Sequence, residues 1–147
     1  MLEVFYYVIF ILLLIGANIV DKQIKEVPDG ISLFGILLAV NYNLFFGNVK
    51  TAIIGATLGI LFVAMINWST VQRLGGGDSK FAGMIGSFTD WRIVLGTLIL
   101  AYLISRKSLR KNKEIAYTPY MTLALVIMGI VVIGIKLCLN VISYLKT

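Results

Sequence analysis

Five short polar breaks, "DKQIKEVPDG", "GNVK", "QRLGGGDSK", "TDWR" and "RKSLRKNKE", cut this chain into apolar runs that carry almost no charge. The runs are Leu2–Val20, Ile31–Phe46, Thr51–Val71, a short one from Phe81 to Phe88, Ile93–Ser105, and a long one beginning near Thr118. Of the 147 residues, 59% are hydrophobic and 14% charged, and the mean hydropathy is +0.95, too apolar a mixture for a soluble core. In lipid every backbone polar group must be satisfied inside the protein, so such runs are expected to fold as helices. The expectation is an all-α, polytopic membrane bundle. A full crossing takes roughly 20 residues, so residues 1–147 hold one membrane-embedded domain and no separate soluble one. The first run has no basic flank before it and no clear small-residue cleavage site, and is read as a retained helix.

The two runs around "TDWR" are each short for a crossing, and charge parity decides whether they are one helix or two. As two, the breaks at 21–30, 72–80 and 106–114 share one side and carry nine basic residues: Lys22, Lys25, Arg73, Lys80, Arg106, Lys107, Arg110, Lys111 and Lys113. The other side keeps Lys50, Arg92 and Lys146, with Lys136 unassigned. Cytoplasmic loops collect Lys and Arg, so the expected arrangement is about six transmembrane segments with a short fourth helix, both termini outside, in the cytoplasmic membrane. Merging the pair would export the most basic loop. The run "RKSLRKNKE" is then a solvated, orienting loop.

The same distribution bears on the net charge of +6. The basic residues cluster at span ends and do not interleave with aromatics, which argues for anionic lipid and against nucleic acid as partner. Histidine is absent and Cys138 is the only cysteine, which excludes imidazole catalysis, Cys/His zinc sites and intrachain disulfides; Cys138 reads as a small packing residue. Trp68 and Trp91 read as interface anchors, and Gly55 and Gly59 as a G-x-x-x-G that lets helices pack closely within the bundle, dimerisation being the lesser option.

Chemistry has little left to draw on. The acidic residues number seven: Glu3, Asp21, Glu26, Asp29, Asp78, Asp90 and Glu114. On the six-segment arrangement Asp21 ends the first helix and Asp78 precedes the fourth, so two carboxylates distant in sequence reach one membrane depth. Gly75, Gly76 and Gly77 stand directly before Asp78. Consecutive glycines are costly, and make sense where the backbone needs positive φ or another chain comes close; a peptide substrate is one such chain. A bland reading stands beside it, a hinge with Asp78 as N-cap of the next helix.

Taken together these residues resemble the type IV prepilin peptidases, the G-x-G-D class of intramembrane aspartic proteases. Asp21 followed by Val27, Pro28 and Asp29 looks like the family's first aspartate and its Pro-Asp turn. Gly75, Gly77, Asp78 and Lys80 look like its Gly-x-Gly-Asp-x-Lys segment, with "GMIG" at Gly83–Gly86 and the proline in "AYTPYMTLAL" also similar. The likeness covers about residues 17–130. It implies an aspartic endopeptidase with Asp21 and Asp78 as catalytic pair, no metal and no cofactor, cutting the short basic leader of a prepilin-like precursor on the cytoplasmic side. Family members that also methylate carry paired cysteines in an extra region; this chain starts almost at the catalytic helix without them and resembles a peptidase-only form. Homo-oligomerisation is left open.

Hydrolysis by two carboxylates needs one ionised, to take a proton from water, and one protonated, to polarise the scissile carbonyl. A helix N-terminus and Lys80 favour the anion at Asp78, while a helix C-terminus disfavours it at Asp21; Lys22 works the other way. Asp29 after Pro28 is expected to start the second helix, and Glu26 or Asp29 to attract a basic leader. Lys80 is either a charge partner for Asp78 or a snorkelling side chain. Three rivals stand: a Ser79–Lys80 hydrolase dyad, Mg²⁺ held by Asp21, Asp29 and Asp78, and a small channel, transporter or assembly scaffold with Asp21 and Asp78 in a polar pathway.

Overall fold

The computed structural model describes residues 1–25, 27–69, 74–111 and 116–144, with side chains described except at 69, 107–111 and 141–144. Among the described residues there are six helices: α1 (Leu2–Ile24), α2 (Asp29–Phe45), α3 (Val49–Ser69), α4 (Gly76–Phe88), α5 (Trp91–Lys111) and α6 (Thr118–Tyr144). The expected all-α bundle with a short fourth helix is what forms. Among the described residues three stretches, Leu2–Ile24, Val49–Trp68 and Thr118–Asn140, are long and apolar enough to cross a membrane, and Asp29–Phe45 is a shorter apolar helix.

The breaks end and start helices by local chemistry. Lys25 takes a left-handed backbone, φ 58°, and its N–H returns to the Asp21 carbonyl at 2.8 Å, which closes α1. Pro28, φ −58°, then stands at the N-cap of α2, where its missing N–H costs no helical bond. Asn48 caps α3 by accepting the Lys50 N–H at 3.0 Å, and Asp90 caps α5 by accepting the Arg92 N–H at 2.9 Å. Between α4 and α5, Thr89 is extended (φ −113°, ψ 163°), so the runs around "TDWR" are two helices. One expectation fails here: "RKSLRKNKE" is not all loop, because α5 continues to Lys111. Lys and Arg are good helix formers, and neither Gly nor Pro interrupts them before Pro119.

Apolar side chains cover the outside of the bundle as well as filling its core. Large apolar side chains such as Phe5, Leu12, Phe34, Leu37, Leu61 and Ile130 face outward, while Asp21, Ser32, Asn43, Asp78, Ser87, Thr97 and Thr118 are buried. That is the distribution a bilayer selects, and the chain is a membrane protein. The short α4 is the hub: every residue from Phe81 to Phe88 is buried, and the helix packs against α2, α3, α5 and α6, with α1 lying on α2 and α6. Glycine makes this possible. A Cβ on Gly55 would collide with the Gly86 carbonyl, and one on Gly59 would sit 2.5 Å from the Ala82 carbonyl. The G-x-x-x-G face of α3 is therefore filled by α4 within the chain.

Contacts at the two ends fix the order of the helices. At one end Tyr42 near the close of α2 donates to Glu3 at 3.1 Å, and Asn43 donates to the Ser87 carbonyl at the close of α4 at 2.9 Å. Asp21 near the close of α1, Asp78 at the start of α4 and Thr118 at the start of α6 meet at the opposite end, with Val27 against Gly77. Trp68 and Trp91 fall at opposite ends of the bundle, 93% and 37% exposed. Cys138 is exposed rather than packed, because α6 is exposed from Val131 to Asn140 at every residue but Val132.

Candidate active site

The last turn of α1 carries Asp21, the first turn of α4 carries Asp78, and both are buried, 1% and 4% exposed. What joins them is the first residue of α6. Thr118 is fully buried; its backbone N–H donates to Asp21 Oδ2 at 3.0 Å and its hydroxyl donates to Asp78 Oδ1 at 3.2 Å. An N–H in the first turn of a helix has no intrahelical acceptor, so it is free to serve a carboxylate. These two bonds and the threonine's own dimensions hold the nearer carboxylate oxygens within about 9 Å of each other. Sequence reasoning missed Thr118, although the Thr-Pro step in "AYTPYMTLAL" marks a helix start.

Asp78 is the third residue of α4 and not its N-cap. Its Oδ2 accepts the Gly75 N–H at 3.2 Å, and its own N–H donates to the Gly75 carbonyl at 3.0 Å. The helix-end argument for telling base from acid thereby loses its asymmetry. Each carboxylate accepts a backbone N–H at the start of a helix, Asp21 from α6 and Asp78 from α4.

The glycine run is used differently from the expectation. Among the described residues no glycine has positive φ. A Cβ on Gly77 would stand 2.6 Å from the Val27 carbonyl and 3.0 Å from the Val27 nitrogen, so the approaching backbone is the chain's own α1–α2 connection. Gly76 is exposed with open space beside it. Asn67, in the last turns of α3, clamps the entry to the glycines: its Oδ1 accepts the Leu74 N–H at 2.7 Å and its Nδ2 donates to the Leu74 carbonyl at 3.2 Å. It too went unread, though an amide near the end of an apolar helix is a signal.

Lys80 corrects another expectation. Its ammonium pairs with Asp29 Oδ1 at 2.6 Å, not with Asp78, and both side chains are half or more exposed. The geometry is simple: Lys80 is the exposed fifth residue of α4, and Asp29 opens α2 across from it. The pair leaves the Ser79–Lys80 dyad without its base and draws Asp29 away from a three-carboxylate Mg²⁺ site. Among the described residues no group of three metal-ligating side chains assembles. Pro28 positions Asp29 at the first turn of α2, as expected. Glu26 lies outside the described residues, as do Arg73 and Lys113.

A helical membrane bundle with two buried carboxylates joined at helix ends defines a class, and comparison with known proteins names it. Residues 8–106 match the type IV leader peptidase family, and the chain belongs to that family. It is 34% identical over 129 residues to the prepilin leader peptidase/N-methyltransferase of Bacillus subtilis, covering 80% of this chain and 52% of that protein. Proteins of the same description match from Myxococcus xanthus (30% identity over 100 residues, 63% of this chain and 30% of the relative) and Pseudomonas putida (25% over 127 residues, 76% and 44%). The chain thus spans about a third to a half of the length of these relatives. No solved structure matches it.

Proposed function

We propose that this chain is an aspartic endopeptidase that removes the short basic leader of type IV prepilin-like precursors (pilin, pseudopilin or archaellin) at the cytoplasmic face of the cell membrane. The observation that carries the reading is the joining of Asp21 and Asp78 through Thr118 in a buried site. Family membership and the names of the relatives support it. Those names also include methyl transfer; a carboxylate pair bears on peptide hydrolysis alone.

The chemistry follows from proximity. Hydrolysis by two carboxyl groups needs one ionised and one protonated, and two negative charges brought close together in a poorly solvated site favour that division. The ionised member takes a proton from water as the water oxygen adds to the scissile carbonyl carbon. The protonated member donates to the carbonyl oxygen. When the tetrahedral intermediate collapses, the C–N bond breaks and the departing nitrogen leaves with a proton from the pair. The exposed Gly76 lets an extended strand reach this end of the bundle without side-chain obstruction.

Orientation follows from charge. The end that holds Asp21, Asp78 and Thr118 is also the end where the nine basic residues of the three long breaks belong, and the positive-inside preference puts it in the cytoplasm. Asp29, exposed beside the site, is the anionic group available to a basic leader once Lys80 is displaced from it.

The test is co-expression with a prepilin-like precursor, scoring leader removal for the wild type, Asp21→Asn and Asp78→Asn. The proposal expects cleavage from the first and none from the other two. Cleavage by either variant would remove Asp21 and Asp78 as the hydrolytic pair, and no cleavage by any form together with proton flux into liposomes that both variants abolish would replace the reading with a conduction role.

A further inference from the structure

We propose that Thr118 is a positioning residue that sets the geometry of the Asp21–Asp78 pair. Its backbone N–H serves Asp21 and its hydroxyl serves Asp78, at 3.0 Å and 3.2 Å, from a fully buried side chain. The two bonds connect residues 97 and 40 positions away from it, so α1, α4 and α6 meet at this one residue.

Several features hold the threonine itself. Tyr117, fully buried, precedes it and accepts the N–H groups of Tyr120 and Met121 at 3.1 and 3.2 Å, which opens α6. Pro119 follows, with φ fixed by its ring near the helical value and no N–H to compete for a carboxylate. One turn on, a second link repeats the α1–α6 connection: Asn18 donates to the Thr122 hydroxyl at 2.8 Å, and that hydroxyl donates to the Thr118 carbonyl at 3.0 Å. The α6 start is therefore tied to α1 by two successive contacts, at Asp21 and at Asn18. Threonine is also stiff at χ1, so its hydroxyl is held in place while the backbone N–H is held by the helix.

The two links separate by chemistry. A side-chain substitution at 118 leaves the N–H to Asp21 in place and removes the hydroxyl, which donates to Asp78 and also faces the Asp21 carboxylate. An ionised carboxylate only accepts hydrogen bonds, and Asp78 would keep Gly75 as a donor while its second oxygen lost the hydroxyl. Binding of the leader involves other groups, so the loss belongs in turnover and not in affinity.

The inference rests on the peptidase reading for its kinetic consequence, but its structural half is testable without activity. In leader cleavage, Thr118→Val is expected to lower kcat about 10–100-fold with KM unchanged, and Thr118→Ser, which restores the donor, to stay within about threefold of wild type. Full activity in Thr118→Val, an equal loss in Thr118→Ser, or a rise in KM at constant kcat would overturn it. Should Thr118→Val fail to accumulate, Thr118→Cys, a weak donor of similar size, takes its place. Independently, melting in detergent micelles is compared in a double-mutant cycle with Asp78→Ala. Thr118→Val is expected to lower Tm by about 2–6 °C in the wild-type background and by much less in Asp78→Ala. Additive shifts would refute the positioning role even if no leader is cleaved by any form, and coupled shifts with an inactive wild type would sink the peptidase reading while leaving the positioning role in place.

Discussion

The backbone of Val27 crosses Gly77 so closely that a Cβ on the glycine would stand 2.6 Å from the Val27 carbonyl oxygen. Two stretches some 50 residues apart in sequence, "DKQIKEVPDG" and "GGGDSK", are thereby pressed together, and Asp29 and Lys80 pair beside the contact. Backbone cannot yield as a flexible side chain does. Gly77→Ala is expected to destabilise the protein by about 1–3 kcal/mol and to lose cleavage, whereas Gly76→Ala, with open space around it, is expected to leave stability nearly unchanged. Thermal melting in detergent with a cleavage assay checks both, and equal tolerance at the two positions would contradict the packing.

The Lys80–Asp29 pair is half or more exposed, so its contribution is small. Lys80→Met is expected to cost no more than about 1 kcal/mol, with the effect shrinking further in high salt, and the swap Asp29→Lys with Lys80→Asp to recover it. A much larger loss, unrepaired by the swap, would mean that Lys80 serves Asp78 after all.

Asn67 holds both polar backbone groups of the buried Leu74. Asn67→Ala leaves that N–H and carbonyl without their partner, an expected loss of about 1–3 kcal/mol. Because Leu74 leads directly into Gly75, whose N–H serves Asp78, cleavage is expected to fall as well. Chemical-shift or crosslinking measurements at Gly75 would register the displacement. An unmoved Gly75 and undiminished stability would count against it.

The α3–α4 interface carries a prediction about assembly. Gly55→Ala and Gly86→Ala each force backbone apart and are expected to lower stability by about 1–3 kcal/mol. Neither is expected to change the molecular mass in detergent measured by light scattering, because the glycine face of α3 is filled from within the chain. A change in mass without a change in stability would move those glycines to an intermolecular contact.

Much of the fold was legible because each helix end has a local cause. The Lys25 turn, Pro28, Asn48 and Asp90 all stand in the polar breaks, and the apolar runs between them had nothing to do in water. The extent of α5 was not legible from hydropathy: its charged end is helical because the residues favour helix, while the apolar run that marked it stops at Ser105. At the site, Asp21 and Asp78 were readable as rare intramembrane charges, and Asp29 as a helix starter. Thr118 was not, because a neutral residue in an apolar run carries no charge signal, and its importance comes from three helices meeting at one point. The partner of Lys80 was hidden for a related reason. Sequence proximity favoured Asp78, two positions away, but a helix turns neighbours at that spacing to different faces, so the ammonium reached Asp29 across the α2–α4 contact.

Leader removal from a co-expressed prepilin-like precursor, followed by mass spectrometry of the product's new N-terminus, tests the central claim most directly. The account predicts one cleaved product from the wild type, and only full-length precursor when either Asp21 or Asp78 is changed to Asn in a protein that still folds. A processed N-terminus from Asp21→Asn or Asp78→Asn would show that the two carboxylates joined by Thr118 are not the hydrolytic pair.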